Sequence, residues 1–268
     1  MAHFYLKDKI ALITGSSDLR GIGFACAKAM AERGATVVLS DIERRQADLE
    51  LAVKELTSSG YRAKGFVLDV TREERAIEVA QAVKEQLGPI GILVNNAGIG
   101  IGAAPLMKTT TKDWTLSWQV NVLGCVNCCR AVIPHMLENG GGVIINNSSM
   151  AGLRAMPAYG AYAAHKHAVI GLTKTLAAEL GRRNIRVVAI CPGVIDTAMN
   201  DLQIEKLARD KGAGKDQIKA GFSKSIALNR IGDPEEVGNV AAFLAGDEAS
   251  YMTGNAVEIS GGIMAGGI

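Results

Sequence analysis

The chain has 268 residues, enough for one large α/β domain with a substantial buried core. Its 48% hydrophobic residues, 31 glycines and only 6 prolines exclude disordered and fibrous classes. A net charge of +2 with acids and bases interspersed leaves no footprint for nucleic acid or an anionic membrane.

The first residues contain no apolar core of a secretory signal, and no stretch approaches an uninterrupted apolar span of membrane length. The expected compartment is therefore the cytoplasm. Residues 9–14 form a short apolar run that reads as a buried strand, and it leads into a turn holding Gly15, Ser17, Arg20, Gly21, Ile22 and Gly23. A helix over 24–33 follows and closes at Gly34. Strand, glycine turn and helix in that order make a phosphate cradle. Glycines let backbone amides approach a pyrophosphate, and the helix N-terminus supplies positive potential.

The next strand, 35–40, ends at Asp41, eighteen residues past Gly23. A carboxylate at that place holds the adenosine ribose hydroxyls and repels a 2′-phosphate, which favours NAD over NADP; Arg20, Arg44 and Arg45 nearby in sequence pull the other way. A helix over 43–58 and a strand over 63–68 ending at Asp69 come next, and Thr71 with Glu74 reads as a capping box for a helix reaching residue 86. The strand 92–94 runs into the turn Asn95, Asn96, Ala97, Gly98. Residues 112–138 make a long helical segment, interrupted at Pro134 and containing Asn121.

A strand over 143–146, a helix over 158–180 and a strand over 185–190 follow, the last ending in Pro192, Gly193 and Thr197. From 198 to 226 the chain is polar and rich in Lys and Gly without a clear period, which reads as a lid. Asp233 and Pro234 open a further helix as N-cap and first residue, and a final strand over 256–259 precedes a small-residue tail. Strands alternating with helices of ten or more residues imply right-handed βαβ units and a parallel sheet covered on both faces. Without a repeat, linker or second core, residues 1–268 read as a single domain.

Five cysteines, at 26, 125, 128, 129 and 191, are odd in number and lack a secretory context, which argues against a disulfide framework. Cys125 and Cys128 have the spacing of a metal or redox pair, yet no second pair of ligands accompanies them, so no metal is expected.

The chemistry concentrates between Ser149 and Lys166. Tyr162 and Lys166 lie four residues apart in an Ala- and Leu-rich helix, so the two side chains share one face. A free phenol titrates near about 10, and a cation held beside it favours the ionised form, moving it toward the range of an acid/base catalyst. Ser149 follows the strand at 143–146, where its hydroxyl can steady a substrate oxygen beside the phenol.

The ordered set Thr14, Gly15, Gly21, Ile22, Gly23; Asp69, Val70; Asn95, Asn96, Ala97, Gly98; Asn121; Ser149; Tyr162 and Lys166; Pro192, Gly193 and Thr197 resembles the short-chain dehydrogenase/reductase family over nearly the whole chain. The resemblance implies a doubly wound, seven-stranded Rossmann-type sheet and a nicotinamide dinucleotide. It assigns the pyrophosphate to the turn from Gly15 to Gly23, the adenosine ribose to Asp41, the adenine to Asp69 and Val70, and the path along the cofactor to Asn96, Ala97 and Gly98. Thr197 and the backbone near Ile195 would anchor the carboxamide. Tyr162 becomes the acid/base, Lys166 its partner and a ribose ligand, Ser149 the substrate-positioning hydroxyl, and Asn121 the holder of a water linking Lys166 to solvent.

Three departures stand out. Five residues, not the usual three, separate the first two glycines, as in the enoyl reductase branch, which also places Tyr and Lys seven apart like Tyr159 and Lys166. That branch carries a second Tyr ten residues before its catalytic one, where this chain has Ser149. His165 stands where a small residue is common and is expected to be structural, facing away from the Lys166 side; Ser260 replaces a common Asp. Tyr159 reads as a pocket wall and Arg154 as a solvated loop residue, its other reading being recognition of an anionic substrate. Residues 226–254 look like members acting on polyols, sugars or vicinal diols, and like 3-oxoacyl reductases. The expected activity is NAD-dependent interconversion of a small secondary alcohol and its ketone. The alternatives are NADPH-dependent 3-oxoacyl-thioester reduction, C=C reduction, and a non-catalytic dinucleotide sensor. The helices over 121–138 and 162–180 carry small and apolar residues, and by the resemblance they build the interface of a homodimer or homotetramer.

Overall fold

The computed structural model describes residues 5–263; the small-residue tail and the first four residues lie outside that range. Seven parallel strands form one sheet: β1 (Ile10–Thr14), β2 (Thr36–Asp41), β3 (Ala63–Val67), β4 (Ile92–Asn95), β5 (Gly142–Asn147), β6 (Ile185–Pro192) and β7 (Ala256–Ile259), in the order β3-β2-β1-β4-β5-β6-β7. The central strands are short apolar runs buried at every position, as a sheet covered on both faces requires. One layer of helices, α1 (Ile22–Glu32), α2 (Gln46–Ser58) and α9 (Pro234–Ala245), shares a core with Ile13, Leu39 and Val94. On the other face, α3 (Glu73–Gln86) and α5 (Gly124–Glu138) pack on Leu12, Leu93 and Ile144. The α1/α9 contact is close because of Gly238, where an added Cβ would stand 2.5 Å from the Ala25 carbonyl oxygen.

Strand order reverses between β1 and β4, so the loops at their carboxyl ends part and leave a crevice. Thr14 fastens its floor: its hydroxyl accepts from the backbone N–H of Asn96 and of Ala97, both at 3.0 Å.

Several local expectations are corrected. The helix after β3 starts at Glu73 with Arg72 as N-cap, not with a Thr71/Glu74 box. The nearer Asp69 carboxylate takes both the Thr71 hydroxyl at 2.7 Å and its N–H at 3.0 Å, a local Asx-type arrangement that outcompetes the cap. Pro134 lies inside α5 without ending it. The interruption falls earlier, where a π-helical turn, Gln119–Leu123, joins α4 (Thr111–Trp118) to α5. The run Thr111–Glu138 is long and apolar enough to cross a membrane by length and composition, but 56% of its most apolar window is buried inside the protein. α6 (Gly160–Leu180) begins two residues later than expected, because Ala158 has φ of 65°, outside the right-handed region. Residues 198–226 hold two helices, α7 (Ala198–Lys211) and α8 (Lys215–Ser225), separated at Gly212 with φ of 62°.

Candidate active site

The glycine turn has the close contacts of a phosphate cradle. Gly15 sits at φ +63°, and a Cβ on it would lie 2.7 Å from the Ala97 Cα. One on Gly23 would lie 2.4 Å from the Gly15 carbonyl oxygen. Gly21 caps α1 in extended conformation with no side chain bonded to the first-turn amides, so Ile22 and Gly23 begin a helix whose positive end faces the crevice. Asn96 braces the turn: its Nδ2 donates to the Thr14 carbonyl at 3.0 Å and the Gly15 carbonyl at 2.7 Å, while its Oδ1 accepts from Asn147 Nδ2 at 2.8 Å. These features fit the diphosphate of a dinucleotide.

At the end of β2, Asp41 Oδ2 accepts from the Ser17 hydroxyl at 2.7 Å and the Ser17 N–H at 3.3 Å, and Oδ1 accepts from the Ile42 N–H at 2.9 Å. Arg45 Nε donates to the same Ser17 oxygen at 2.9 Å, so a guanidinium and a carboxylate meet at one hydroxyl. Arg20 turns the other way, to Asp201 of α7 at 3.0 Å and Asp196 at 3.6 Å. Farther along the sheet edge, Val70 presents its carbonyl to Asn127 Nδ2 at 2.9 Å and packs against Gly124.

Lys166 is buried, with Nζ donating to the Asn147 carbonyl at 2.8 Å and standing 5.6 Å from the centroid of the Tyr162 ring. Its own carbonyl accepts from the Ser148 hydroxyl at 2.8 Å, locking α6 to the end of β5. Ser149, half-buried and extended, accepts from the Ala151 N–H at 3.1 Å, which leaves its hydroxyl proton free. A Cβ placed on Gly98 would lie 3.0 Å from Asn121 Oδ1 and 3.7 Å from Lys166 Nζ, so Asn121 and Lys166 face one another across the room that glycine leaves. Asn121 is buried, against the ordinary expectation for an Asn in a helix.

Thr197 caps α7 by accepting from the Asn200 N–H at 3.3 Å, and Ile195 pairs with Gly232 in a parallel bridge. Tyr159 lies 6.2 Å from Tyr162, ring to ring, with its hydroxyl bonded to Gln203 of α7. Burial pushes the Tyr159 phenol above its usual value, the wrong direction for a base. Arg154 is neither solvated nor free for a substrate: it pairs with Glu258 and donates to the Ile263 carbonyl at 2.9 Å. Ser260 donates to that same Glu258 at 2.7 Å. All five thiols are free and buried; burial pushes Cys125 up to about 11. No cluster of potential metal ligands occurs among the described residues.

Comparison with known proteins decides the family. The family described as Enoyl-(Acyl carrier protein) reductase matches residues 15–264. The 3-oxoacyl-(acyl-carrier-protein) reductase FabG of Thermotoga maritima is 40% identical over 259 residues, covering 97% of this chain and 99% of that one. The chain belongs to the short-chain dehydrogenase/reductase family. Among solved members, a gluconate 5-dehydrogenase from Burkholderia cenocepacia, in complex with NADP and tartrate, superposes with TM-score 0.87 at 32% identity, covering 98% of this chain and 97% of that one. An L-sorbose reductase from Gluconobacter frateurii, with NADPH and L-sorbose, gives 0.88 at 32% identity, covering 97% and 98%.

Within this family frame, sequence reasoning passed over several residues that the structure brings to the site. Asn147 anchors both Lys166 and Asn96, and nothing in its sequence context, at the end of an apolar strand two residues before Ser149, marks it. Gln203 sits in a segment with no readable period. Ser117 joins Asn121 through an i,i+4 bond, a spacing too common along helices to mark it in the sequence.

Proposed function

We propose that the protein is an NAD-dependent oxidoreductase that interconverts a small polar secondary alcohol, such as a polyol, sugar or vicinal diol, and its ketone. The observation that carries the reading is the Lys166 ammonium beside the Tyr162 ring, held there by the Asn147 carbonyl. The bound nicotinamide supplies the hydride acceptor or donor. In oxidation Tyr162 takes the hydroxyl proton, and in reduction it returns one. Lys166 commits one N–H to Asn147 and has two left, for the nicotinamide ribose and for the phenolate oxygen. Ser149 directs its free proton at the substrate oxygen. The turn from Gly15 to Gly23 receives the pyrophosphate, Asp69 and Val70 flank the adenine, Ala97 and Gly98 line the path, and Ile195 and Thr197 meet the carboxamide.

NAD is favoured because the Asp41 carboxylate occupies the ribose end of the cradle and Arg20, the cation expected to oppose it, is engaged by Asp201. Polar α7 supports a hydroxyl-rich substrate: Gln203 reaches the pocket Tyr159, and Asn200 Nδ2 is buried without a partner. NADPH-dependent 3-oxoacyl-thioester reduction is the second reading, favoured by the 40% identity to FabG and by Arg45 beside Ser17. C=C reduction through Tyr159 is disfavoured by that phenol's bond to Gln203. The pair of α7 and α8 acts as the lid. Leu116, Trp118 and Leu123 expose apolar surface along the helical run that would meet a second copy in a homo-oligomer. Five buried thiols free of disulfides support a reducing compartment such as the cytoplasm.

The test is an initial-rate screen pairing NAD and NADP with secondary alcohols, diols, sugars and polyols, and NADH and NADPH with the matching ketones and a 3-oxoacyl thioester. Turnover of a polyol or diol with NAD supports the reading. Turnover confined to NADPH and the thioester replaces it with the second, and a multi-angle light-scattering mass equal to one chain removes the oligomer.

A further inference from the structure

His165 is the anomaly of α6. A histidine at 2% exposure lies one residue before Lys166, and none of the steps above uses it. Its ring stands T-shaped to two tryptophans, 5.6 Å from Trp114 and 5.5 Å from Trp118. Its Nδ1 lies 2.8 Å from the hydroxyl of Ser117, which is fully buried on α4.

The proton positions follow from the backbone. The N–H of Ile99 can only donate, and it reaches Asn121 Oδ1 at 2.8 Å, which fixes the carboxamide's orientation. Asn121 Nδ2 therefore spends its two protons on the Ile99 carbonyl at 3.0 Å and on Ser117 Oγ at 2.9 Å. Ser117 is left with one proton, and His165 Nδ1 is its only hydrogen-bonding neighbour besides Asn121 among the described residues. With that proton donated to Nδ1, the only arrangement that leaves the buried Ser117 hydroxyl proton paired, His165 is neutral and carries its own proton on Nε2. The chain of bonds runs Ile99, Asn121, Ser117, His165. It joins α6, α4, the π turn and the loop after Gly98.

We propose that Ser117 and His165 are positioning residues for proton transfer: they fix the Asn121 carboxamide, and so the width of the gap above Gly98 between Asn121 and Lys166. This rests on the assignment of Tyr162 and Lys166 as the reacting pair. The π turn exchanges i,i+4 for i,i+5 main-chain bonding, and the Asn121 carboxamide is held at one edge by the Ile99 backbone and at the other, among the described residues, by the Ser117 hydroxyl alone. Burial and the Lys166 charge hold the His165 pKa below its usual value, so the acceptor at Nδ1 persists at neutral pH.

The test uses the full chain and three variants. Ser117→Ala removes the link, His165→Leu removes the terminal acceptor while filling the space, and His165→Asn keeps an acceptor close to the place of Nδ1. The first readout needs no activity: hydrogen exchange of the Asn121 side-chain amide, followed by NMR. Exchange is expected to be about tenfold faster in Ser117→Ala and His165→Leu, with His165→Asn recovering most of the protection. On the substrate found by the screen, kcat falls about tenfold in the first two variants with cofactor KM within about twofold, and the solvent deuterium isotope effect on kcat rises. Unchanged exchange and isotope effects, with only a lower Tm, would make His165 a packing residue and overturn the proposal. If Tyr162→Phe turns over normally, the reacting pair is wrong, yet the exchange measurement still decides the clamp.

Discussion

Arg20 in the turn after β1 donates to Asp201 in the first turn of α7 at 3.0 Å, and Lys219 of α8 approaches the same carboxylate at 3.6 Å. The lengthened glycine turn thereby ties the cradle to the α7 and α8 pair. Arg20 beside Asp201 holds that carboxyl below its usual range. The partners are exposed, so the tie adds little to global stability, and Arg20→Ala is expected to leave Tm within about 2 °C. Its effect is local. Tryptic cleavage in α7, at Lys206, Arg209 or Lys211, is expected to quicken in the variant, and 1 M salt, where the screening length is about 3 Å, should bring the natural chain toward the same rate. Equal cleavage rates would mean that α7 does not depend on the turn.

In the proposed reading, cofactor choice turns on two groups that meet at the Ser17 hydroxyl, the Asp41 carboxylate and the Arg45 guanidinium. A 2′-phosphate placed near the Ser17 hydroxyl would meet the Asp41 carboxylate and gain the Arg45 guanidinium. Asp41→Asn is expected to shift the ratio of kcat/KM for NADP over NAD upward by about tenfold, the size of one removed like-charge contact. Arg45→Ala should lower it. A ratio unmoved by both substitutions would place recognition of the ribose elsewhere.

Much of this site was readable from residue order because the chemistry sits at strand ends. Apolar runs locate the strands, and the glycine turn, Asp41, Asn96 and Ser149 follow β1, β2, β4 and β5 in turn, while Tyr162 and Lys166 show through their four-residue spacing in α6. What could not be read is what depends on distant partners or on backbone without a signature. No residue pattern announces the π turn at Asn121. Arg154 and Glu258 are 104 positions apart and meet only because β7 lies beside β6. The apolar stripe of α7 is thin, with Asn200, Ile204 and Ala208 its buried residues, so a period exists without enough hydrophobic contrast to detect. At Thr71 the failure was of competition: two acceptors were in reach, and sequence spacing does not rank them.

Tyr162 and Tyr159 are separable by kinetics. Tyr162→Phe removes the proton carrier and is expected to cost about 10²- to 10⁴-fold in kcat, with NADH still bound in a fluorescence titration. Tyr159→Phe loses a bond to Gln203 and should act mainly on substrate KM, with kcat down less than about tenfold. The reverse pattern would transfer the acid/base role to Tyr159 and with it the C=C reductase reading.

His165 also makes stability depend on pH. The groups packed on it are Ser117, Trp114 and Trp118 from α4 and, on its own helix, the Lys166 charge; none is an acid that would welcome a proton. Burial and Lys166 hold its folded-state pKa below the 6.5 of a free imidazole. The unfolded chain therefore binds the proton first as pH falls, and the stability present above about pH 6.5 is lost progressively below it. In His165→Leu that titration is gone, so Tm is expected to fall less between pH 7.5 and 5.5 than in the natural chain, whatever its value at neutral pH. Parallel Tm profiles for the two proteins would mean that His165 keeps an ordinary affinity for protons, and that its hydrogen bond to Ser117 does not require a neutral ring.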